Sequence, residues 1–174
     1  MLLPKGFAGD LQAIHQMSRF DLREGETRLE TEIVFHAQIG FIGHIESPWS
    51  FDDCPKNLRQ ARERGAAPAR VHVAAGFRPA LEGIAQGDDL VLLYWMSHAP
   101  RDLLRQVPRH RAEGTGTFNL RSPARPNPIG MGVVKVLAID PGAGVIEIDA
   151  IDAVDGTPLV DIKPHIPATD TPPA

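Results

Sequence analysis

The sequence predicts a mainly β domain, a small closed β-barrel with a few peripheral helices. Three observations carry this prediction: the chain has many short β-like segments, few helical ones, and no strict alternation of strand and helix. With 174 residues, it is long enough for one domain with a real core and too short for two ordinary ones. We therefore assign residues 1–31 to an N-terminal extension, either a helix or a linker, and residues 32–170 to the barrel.

The first part of the barrel is predicted from cap and turn residues. Residues 32–49 are rich in β-branched residues and stop at a Ser-Pro pair, which is typical of a strand. Asn57 is placed to cap a short helix that Gly65 ends, because a side-chain oxygen and a left-handed glycine satisfy the two helix ends. A strand over residues 70–75 and a turn over residues 76–83 follow.

The central strand is predicted from an apolar run. Residues 89–98 are almost continuously apolar, too short for a typical globular helix, and bounded by glycine and proline, so they indicate a buried strand. Trp49 and Trp95 are assigned to packing in the core. Pro100 then suits the first turn of a helix over residues 100–107.

The last part of the barrel reads as strands joined by turns. Residues 130–140 and 145–151 are joined by a Pro-Gly-Ala-Gly sequence, which predicts a hairpin. Asp155-Gly156 is a strong turn signal before a closing strand.

A proline-rich segment at residues 118–130, FNLRSPARPNPIG, predicts a rigid polar loop. Pro123, Pro126 and Pro128 fix their own φ angles and push the preceding residues toward extended conformations, so the segment is neither helix nor central strand. A stiff backbone loses few states on binding, which favours a ligand site built from its polar side chains. The alternative is a proline-rich connection that merely joins two strands. The polar side chains concerned are Arg121, Ser122, Arg125 and Asn127.

Composition excludes several classes of protein. No apolar run reaches the roughly 18 residues of a membrane span, and the start of the chain lacks a secretory-signal pattern, so we expect a cytoplasmic protein. Cys54 is the only cysteine, which excludes an intrachain disulfide and a cysteine zinc site, and we expect its thiol to be incidental. The histidines do not cluster at ligand spacing, so no metal is expected. Neither GxGxxG nor a P-loop is present, which argues against a Rossmann enzyme.

Charge is unevenly distributed along the chain. The net charge is −4, but residues 56–125 carry +6, and local positive charge is what attracts phosphate. Four arginines of this segment are predicted to contact RNA phosphates, the first two from one face of the predicted helix. They are Arg101, Arg105, Arg109 and Arg111.

Four segments resemble one family closely: IGFIGHIESPW at residues 39–49, LRQ at 58–60, GTFNLRSPARPNPIGMGVV at 116–134 and DAVDGTPLVDIKPHIP at 152–167. They resemble the TsaA-like, or TrmO, family of S-adenosylmethionine-dependent tRNA methyltransferases over roughly three quarters of the chain. The resemblance implies a small β-barrel, a homodimer and a methyl-donor site of non-Rossmann type. It also implies methylation of the exocyclic amine of a threonylcarbamoyl-modified adenosine beside the tRNA anticodon.

The resemblance also implies site residues. Asp161 and Lys163 are the predicted catalytic residues, with Asp161 as the base that accepts the proton of the acceptor nitrogen. The alternative is that the two form an ion pair that orders the last strand, and Asp155 is alternatively a turn former. The predicted cofactor-binding residues are Arg59, Gln60, Arg121, Ser122, Arg125, Asn127, Pro128, Ile129, Gly130, Asp155 and Thr157.

Two departures from the family pattern keep other functions open. Asp88-Asp89 stands where the family usually has Ser-His, and His165 stands where it usually has tyrosine. One alternative is an enzyme that methylates another RNA or a small molecule. Another is a non-catalytic module that binds an adenosine ligand or RNA. The expected partners are tRNA and a second copy of the chain, with no membrane and no DNA.

Overall fold

The structure is a computed structural model that describes residues 27–28, 38–65, 67–108 and 113–172. The predicted N-terminal extension, residues 1–31, lies outside the described residues except for residues 27–28, and so does the start of the predicted strand at residues 32–37. The described elements are β1 Thr27–Arg28, β2 Gly43–Glu46, α1 Leu58–Arg64, β3 Ala69–Val73, β4 Asp89–Trp95, β5 Leu103–Gln106, β6 Thr115–Gly116, β7 Ile129–Asp140, β8 Val145–Ile148, β9 Thr157–Pro164 and α2 Pro167–Asp170. Two 3₁₀ helices, Ala75–Leu81 and Thr117–Asn119, accompany them.

Six antiparallel strands form the barrel. Their order is β2-β3-β8-β7-β4-β9, and β9 pairs back with β2 where Gly43 lies opposite Leu159, which completes the circuit. A small separate sheet has the order β1-β5-β6. The prediction of a mainly β barrel with few helices is confirmed.

The core lies inside the barrel because side chains alternate along each strand. On β4, Leu90, Leu92 and Tyr94 are buried, whereas the residues between them are half-buried on the outer face. Trp49 closes the core from the 47–49 segment, and its indole nitrogen donates to the Ile151 carbonyl at 2.7 Å. The apolar run is therefore a strand, as predicted, with one buried face.

Helix α1 has the predicted ends. The Asn57 side chain accepts a hydrogen bond from the Gln60 backbone nitrogen at 2.9 Å, and Gly65 adopts φ 61°, a left-handed conformation. Arg62 ties the helix to the barrel, since its guanidinium donates to Asp149 at 2.7 Å and to the Val133 carbonyl at 2.9 Å.

The predicted hairpin and closing turn are also confirmed. Strands β7 and β8 pair from Val136 opposite Ile148 to Asp140 opposite Val145. Gly156 adopts φ 75° in the turn before β9.

Three expectations were wrong. Residues 100–107 do not form a helix, because β5 occupies Leu103–Gln106 and pairs with both β1 and β6. Arg101 and Arg105 therefore share no helix face. The predicted turn at residues 76–83 is largely the 3₁₀ helix Ala75–Leu81. Trp95 is half-buried on the outer face of β4, since the inward position next to it belongs to Tyr94.

Among the helices of the described residues, none is long and apolar enough to cross a membrane.

Candidate functional site

The proline-rich loop is held by one of its own arginines. The Arg125 guanidinium donates to the Ser122 carbonyl at 2.9 Å, to the Thr117 carbonyl at 3.2 Å and to the Leu120 carbonyl. A charged donor that joins several carbonyls closes the loop on itself. The predicted rigidity therefore has a second cause besides the prolines.

The small sheet fixes the start of this loop. The Gln106 side chain, which is buried, donates to the Ala124 carbonyl at 2.6 Å and to the Thr117 hydroxyl at 2.9 Å. The Thr117 hydroxyl in turn donates to the Leu103 carbonyl at 2.8 Å. Because these buried polar groups satisfy one another, the loop and β5 form one unit.

The end of the loop joins the barrel at Tyr94. Met96 donates its backbone N–H to the Pro128 carbonyl at 2.9 Å, and Gly130 lies opposite Tyr94 in the β4–β7 pairing. A Cβ atom at Gly130 would lie 2.0 Å from Tyr94 Cε2. Only glycine therefore leaves room for the tyrosine ring.

Tyr94 connects the loop to the fourth motif of the sequence. Its hydroxyl donates to Asp152 Oδ1 at 2.7 Å, and Asp152 is the first residue of the DAVDGTP segment. Burial raises the pKa of Tyr94 well above its ordinary value, and the charge of Asp152 and this hydrogen bond raise it further. Arg121 lies close enough to offset part of that rise. Arg121, Gly130, Tyr94 and Asp152 thus form one cluster, the Tyr94 cluster.

Cys54 lies beside this cluster and is not activated. Its partial burial and the charges of Asp152 and Asp53 raise the pKa of the thiol to about 11. The thiolate, which is the nucleophile, is therefore scarce at neutral pH. This agrees with the expectation that Cys54 is incidental to the chemistry.

The predicted catalytic pair lies on the other side of the sheet. Asp161 lies opposite Leu93, an outward position of β4, and Asp161 Oδ2 is 2.6 Å from Lys163 Nζ. The ion pair named as the alternative is present, with the side chains of Asp161 and Lys163 41% and 60% exposed. Exposed pairs of this kind contribute little stability, so the pair is not needed to hold β9 in place.

The other predicted cofactor residues of the loop show a range of environments. Ser122 accepts a hydrogen bond from the Ala124 backbone nitrogen at 3.3 Å, and Asn127 is exposed with its carbonyl bonded to the Ile129 nitrogen at 2.8 Å. Pro128 is fully buried. Among the predicted cofactor residues of the loop, the exposed polar side chains are thus Arg121 and Asn127.

The remaining predicted cofactor residues occupy a turn and a helix end. Asp155 Oδ1 accepts from the Ser47 backbone nitrogen at 2.9 Å, and the Thr157 hydroxyl donates to the Val154 carbonyl at 2.6 Å, so both shape the turn before β9. Gln60 accepts from the Lys56 nitrogen at 3.1 Å. Arg59 is 80% exposed and 3.7 Å from Glu63.

The predicted RNA-contacting arginines are only partly described. Arg101 donates to the Pro126 carbonyl at 2.8 Å and lies 5.3 Å from the centre of the Trp95 ring, and Arg105 donates to the Gly114 carbonyl at 3.0 Å. Arg109 and Arg111 lie outside the described residues.

The two departures from the family pattern lie together, away from the Tyr94 cluster. His165 donates its backbone N–H to the Asp89 carbonyl at 2.9 Å, and Asp89 is 2.7 Å from Lys135 Nζ. The hydrogen bond from Lys135 holds the pKa of Asp89 below its ordinary value. Asp89 and Tyr94 are at opposite ends of β4, about 17 Å apart at ~3.4 Å per residue.

Sequence reasoning missed Tyr94 and Asp152 as site residues. The signal was the alternation in DLVLLYW, which places Tyr94 on the same face as Leu90 and Leu92. A buried tyrosine hydroxyl needs a partner, but the partner is 58 residues away in sequence. Only the fold identifies it.

Comparison with known proteins identifies the family to which this chain belongs. A family model described as the tRNA-methyltransferase O N-terminal domain matches residues 44–171, which include every strand of the barrel except the first residue of β2. The chain belongs to this TrmO family. Its TrmO domain therefore includes the proline-rich loop and the Tyr94 cluster.

Relatives and solved structures agree with the family. A probable S-adenosyl-L-methionine-binding protein of Archaeoglobus fulgidus is 38% identical over 77% of this chain, and the similarly named VirR of Rhizobium radiobacter is 37% identical over 82% of this chain and 79% of its own length. A tRNA (adenine(37)-N6)-methyltransferase of Mus musculus is 43% identical over 38% of this chain and 15% of its own length. The crystal structure of TrmO from Pseudomonas aeruginosa matches with a TM-score of 0.61 and 31% identity over 78% of this chain.

The length of these matches differs. The chain spans 35% of the Archaeoglobus protein and 59% of the Pseudomonas TrmO chain. Those proteins therefore contain sequence beyond the TrmO domain compared here.

Proposed function

We propose that this protein is a cytoplasmic S-adenosylmethionine-dependent methyltransferase that acts on the exocyclic amine of the modified adenosine beside the tRNA anticodon. The observation that carries the proposal is the meeting of the two most specific motifs, the proline-rich loop and the DAVDGTP segment, at Tyr94. The family and the names of the relatives support S-adenosylmethionine as the cofactor. The Mus musculus relative supports the tRNA acceptor.

The residues at the Tyr94 cluster fit the chemical groups of this cofactor. Arg121 offers a guanidinium for a carboxylate, Asp152 a carboxylate for an ammonium or ribose hydroxyls, and Asn127 an amide for an adenine edge. When bound, S-adenosylmethionine supplies a methyl group for in-line displacement by a nitrogen nucleophile. The stiff loop contributes by fixing these side chains before the ligand arrives.

The acceptor nitrogen loses a proton as the N–C bond forms, so a base is needed within hydrogen-bond reach. Asp161, with Lys163 beside it, remains the predicted base, on the outer face of β9. Asp152 is another carboxylate of the same motif, and its Oδ1 already accepts from Tyr94. The variant Asp161→Asn tests this role. Normal cofactor binding with loss of turnover supports Asp161 as the base, whereas unchanged turnover excludes it.

Isothermal titration of the purified chain with S-adenosylmethionine tests the cofactor. We expect saturable binding by the wild type, weaker binding by Arg121→Ala, and unchanged binding by Arg70→Ala, a matched arginine on β3 that pairs with Glu46 at 3.1 Å. No binding by the wild type contradicts the proposal.

The acceptor is tested separately. Tritiated methyl donor is supplied with bulk tRNA from a strain that lacks this gene, and the labelled nucleoside is identified by mass spectrometry. Label in an N6-methylated, threonylcarbamoyl-modified adenosine supports the proposed acceptor. Cofactor binding with label in another RNA or a small molecule supports the alternative enzyme, and binding without any turnover supports the non-catalytic module.

We also propose that the chain forms a homodimer through the outer face of β4 and β7. Outward positions of an antiparallel sheet that faces water are usually polar. Here most of them are apolar, with the charged pair Asp89 and Lys135 at one end, and Met131 and Phe41 are 46% and 42% exposed, with the Phe41 ring 6.4 Å from the Trp95 ring. The apolar positions of this face are Val91, Leu93, Trp95, Met131 and Val133.

Light scattering after size exclusion tests the dimer. We expect the wild type at twice the chain mass and Met131→Glu as a folded monomer, because a buried unpaired charge opposes association. Gln86→Glu, at an exposed position outside this face, serves as the charge control. A monomeric wild type contradicts the dimer proposal and leaves the cofactor proposal intact.

A further inference from the structure

Phe118 is the most exposed of the large hydrophobic side chains of the described residues. It is 83% exposed and lies in the 3₁₀ helix Thr117–Asn119, at the start of the proline-rich loop. Single exposed apolar residues are common on protein surfaces, so exposure alone does not indicate a binding site. The backbone and the charges around Phe118 do indicate one.

The backbone on both sides of Phe118 is held rigidly. Arg125 binds the carbonyls of Thr117 and Leu120, and the Thr117 side chain is buried and bonded to Gln106 and to the Leu103 carbonyl. The Asn119 amide donates to the Thr115 hydroxyl at 3.2 Å. Phe118 is therefore presented to solvent by a braced backbone, so little conformational entropy is lost when a ligand packs on its ring.

The charge around this segment favours a polyanion. Between Glu113 and Asp140 the sequence contains no acidic residue, and Arg121 follows Phe118 by one short turn of chain. An exposed aromatic ring on a segment whose charged residues are all basic is typical of surfaces that bind single-stranded nucleic acids, where bases stack on rings and phosphates meet positive charge.

We propose that Phe118 is a platform on which an unpaired base of the acceptor RNA stacks. The inference rests on the proposed function, since it assigns an RNA-contacting residue to the same loop that holds the cofactor. It places the acceptor on the solvent side of the loop and the Tyr94 cluster on the barrel side. The base concerned lies in an unpaired loop, because paired bases do not offer a face.

The test compares three substitutions in tRNA binding, measured by fluorescence anisotropy with a labelled anticodon stem-loop RNA. We expect Phe118→Ala to weaken binding by about 5- to 100-fold, the range for loss of one stacked base. Phe118→Trp should keep or improve binding, and its fluorescence should be quenched by the RNA. Phe118→Leu, which keeps apolar area without an aromatic face, should resemble Phe118→Ala. Phe77→Ala, at a 41% exposed phenylalanine on the other 3₁₀ helix, is the control.

Each result decides the matter. Equal RNA affinity in Phe118→Ala and wild type, or full rescue by Phe118→Leu, overturns the platform. A change of oligomeric state in Phe118→Ala, with RNA affinity per chain unchanged, assigns the ring to a protein contact instead. Normal S-adenosylmethionine binding with no RNA binding by the wild type removes the RNA acceptor of the proposed function and the platform with it. If the wild type binds the stem-loop RNA but not S-adenosylmethionine, the proposed function is contradicted. Phe118 is then still assigned to RNA binding, provided that Phe118→Ala weakens it.

Discussion

Gly130 and Gly132 both face inward on β7, but they differ in the space that a Cβ atom would have. A Cβ at Gly130 meets the Tyr94 ring at 2.0 Å, whereas a Cβ at Gly132 meets Ile151 Cδ1 at an ordinary 3.6 Å. We expect Gly130→Ala to cost about 1–3 kcal/mol of stability through overpacking, and Gly132→Ala to change stability little. Urea unfolding measures both. Equal stability of the two variants contradicts the packing described here.

The reactivity of Cys54 tests the electrostatics beside the Tyr94 cluster. With a pKa of about 11, its thiol is almost entirely protonated at pH 8, whereas an ordinary thiol with pKa ~8.5 is about one quarter thiolate. We expect native Cys54 to react with iodoacetamide about 100-fold more slowly than the same thiol in the unfolded chain, and the rate to rise with pH up to about 11. Mass spectrometry of the single cysteine gives both rates. A native rate near the unfolded one contradicts the assignment.

At the scale of elements, one arginine joins several carbonyls of the proline-rich loop. Arg125→Lys keeps the charge but cannot reach three carbonyls from one planar group. We expect faster amide hydrogen exchange in residues 117–125 of this variant, with the barrel strands unaffected. Arg59→Lys, at an 80% exposed position, is the control. Unchanged exchange in the loop of Arg125→Lys means that the prolines alone keep it rigid.

The elements that sequence predicted well are those with local signals. Helix α1 has its cap at Asn57 and its end at Gly65, and the β7–β8 hairpin has its turn residues within a few positions. The sequence predicts a helix at β5 because Pro100 supplies a local helix signal. The strands that pair with β5, β1 and β6, have only two residues each, and β1 is more than 70 residues away in sequence. Short strands with distant partners carry no periodicity of their own.

At the scale of the molecule, the site depends on contacts that the sequence pattern does not contain. The prolines of the loop predict stiffness, and the structure adds the hydrogen bonds of Arg125 to the loop carbonyls. The Tyr94–Asp152 hydrogen bond and the bond from Gln106 to the loop join distant segments, so they follow only from the barrel order. Alternation from the buried Leu159 would place Asp161 inward, but the register of β9 against β4 shifts between Leu93 and Tyr94, so Asp161 lies opposite the outward Leu93.

The barrel also separates the Tyr94 cluster from the departures in this chain. Asp89, Lys135 and His165 lie at one end of β4, and Tyr94 lies at the other. Changes at the first end therefore leave the contacts of the Tyr94 cluster as they are.

The central claim is that the proline-rich loop and the DAVDGTP segment together bind S-adenosylmethionine at Tyr94. A crystal structure of the chain grown with that compound tests it most directly. We predict ligand density in contact with Arg121 or Asn127 on one side and with residues 152–157 on the other. Ligand density that touches neither segment, in crystals where the compound is bound, would contradict the claim.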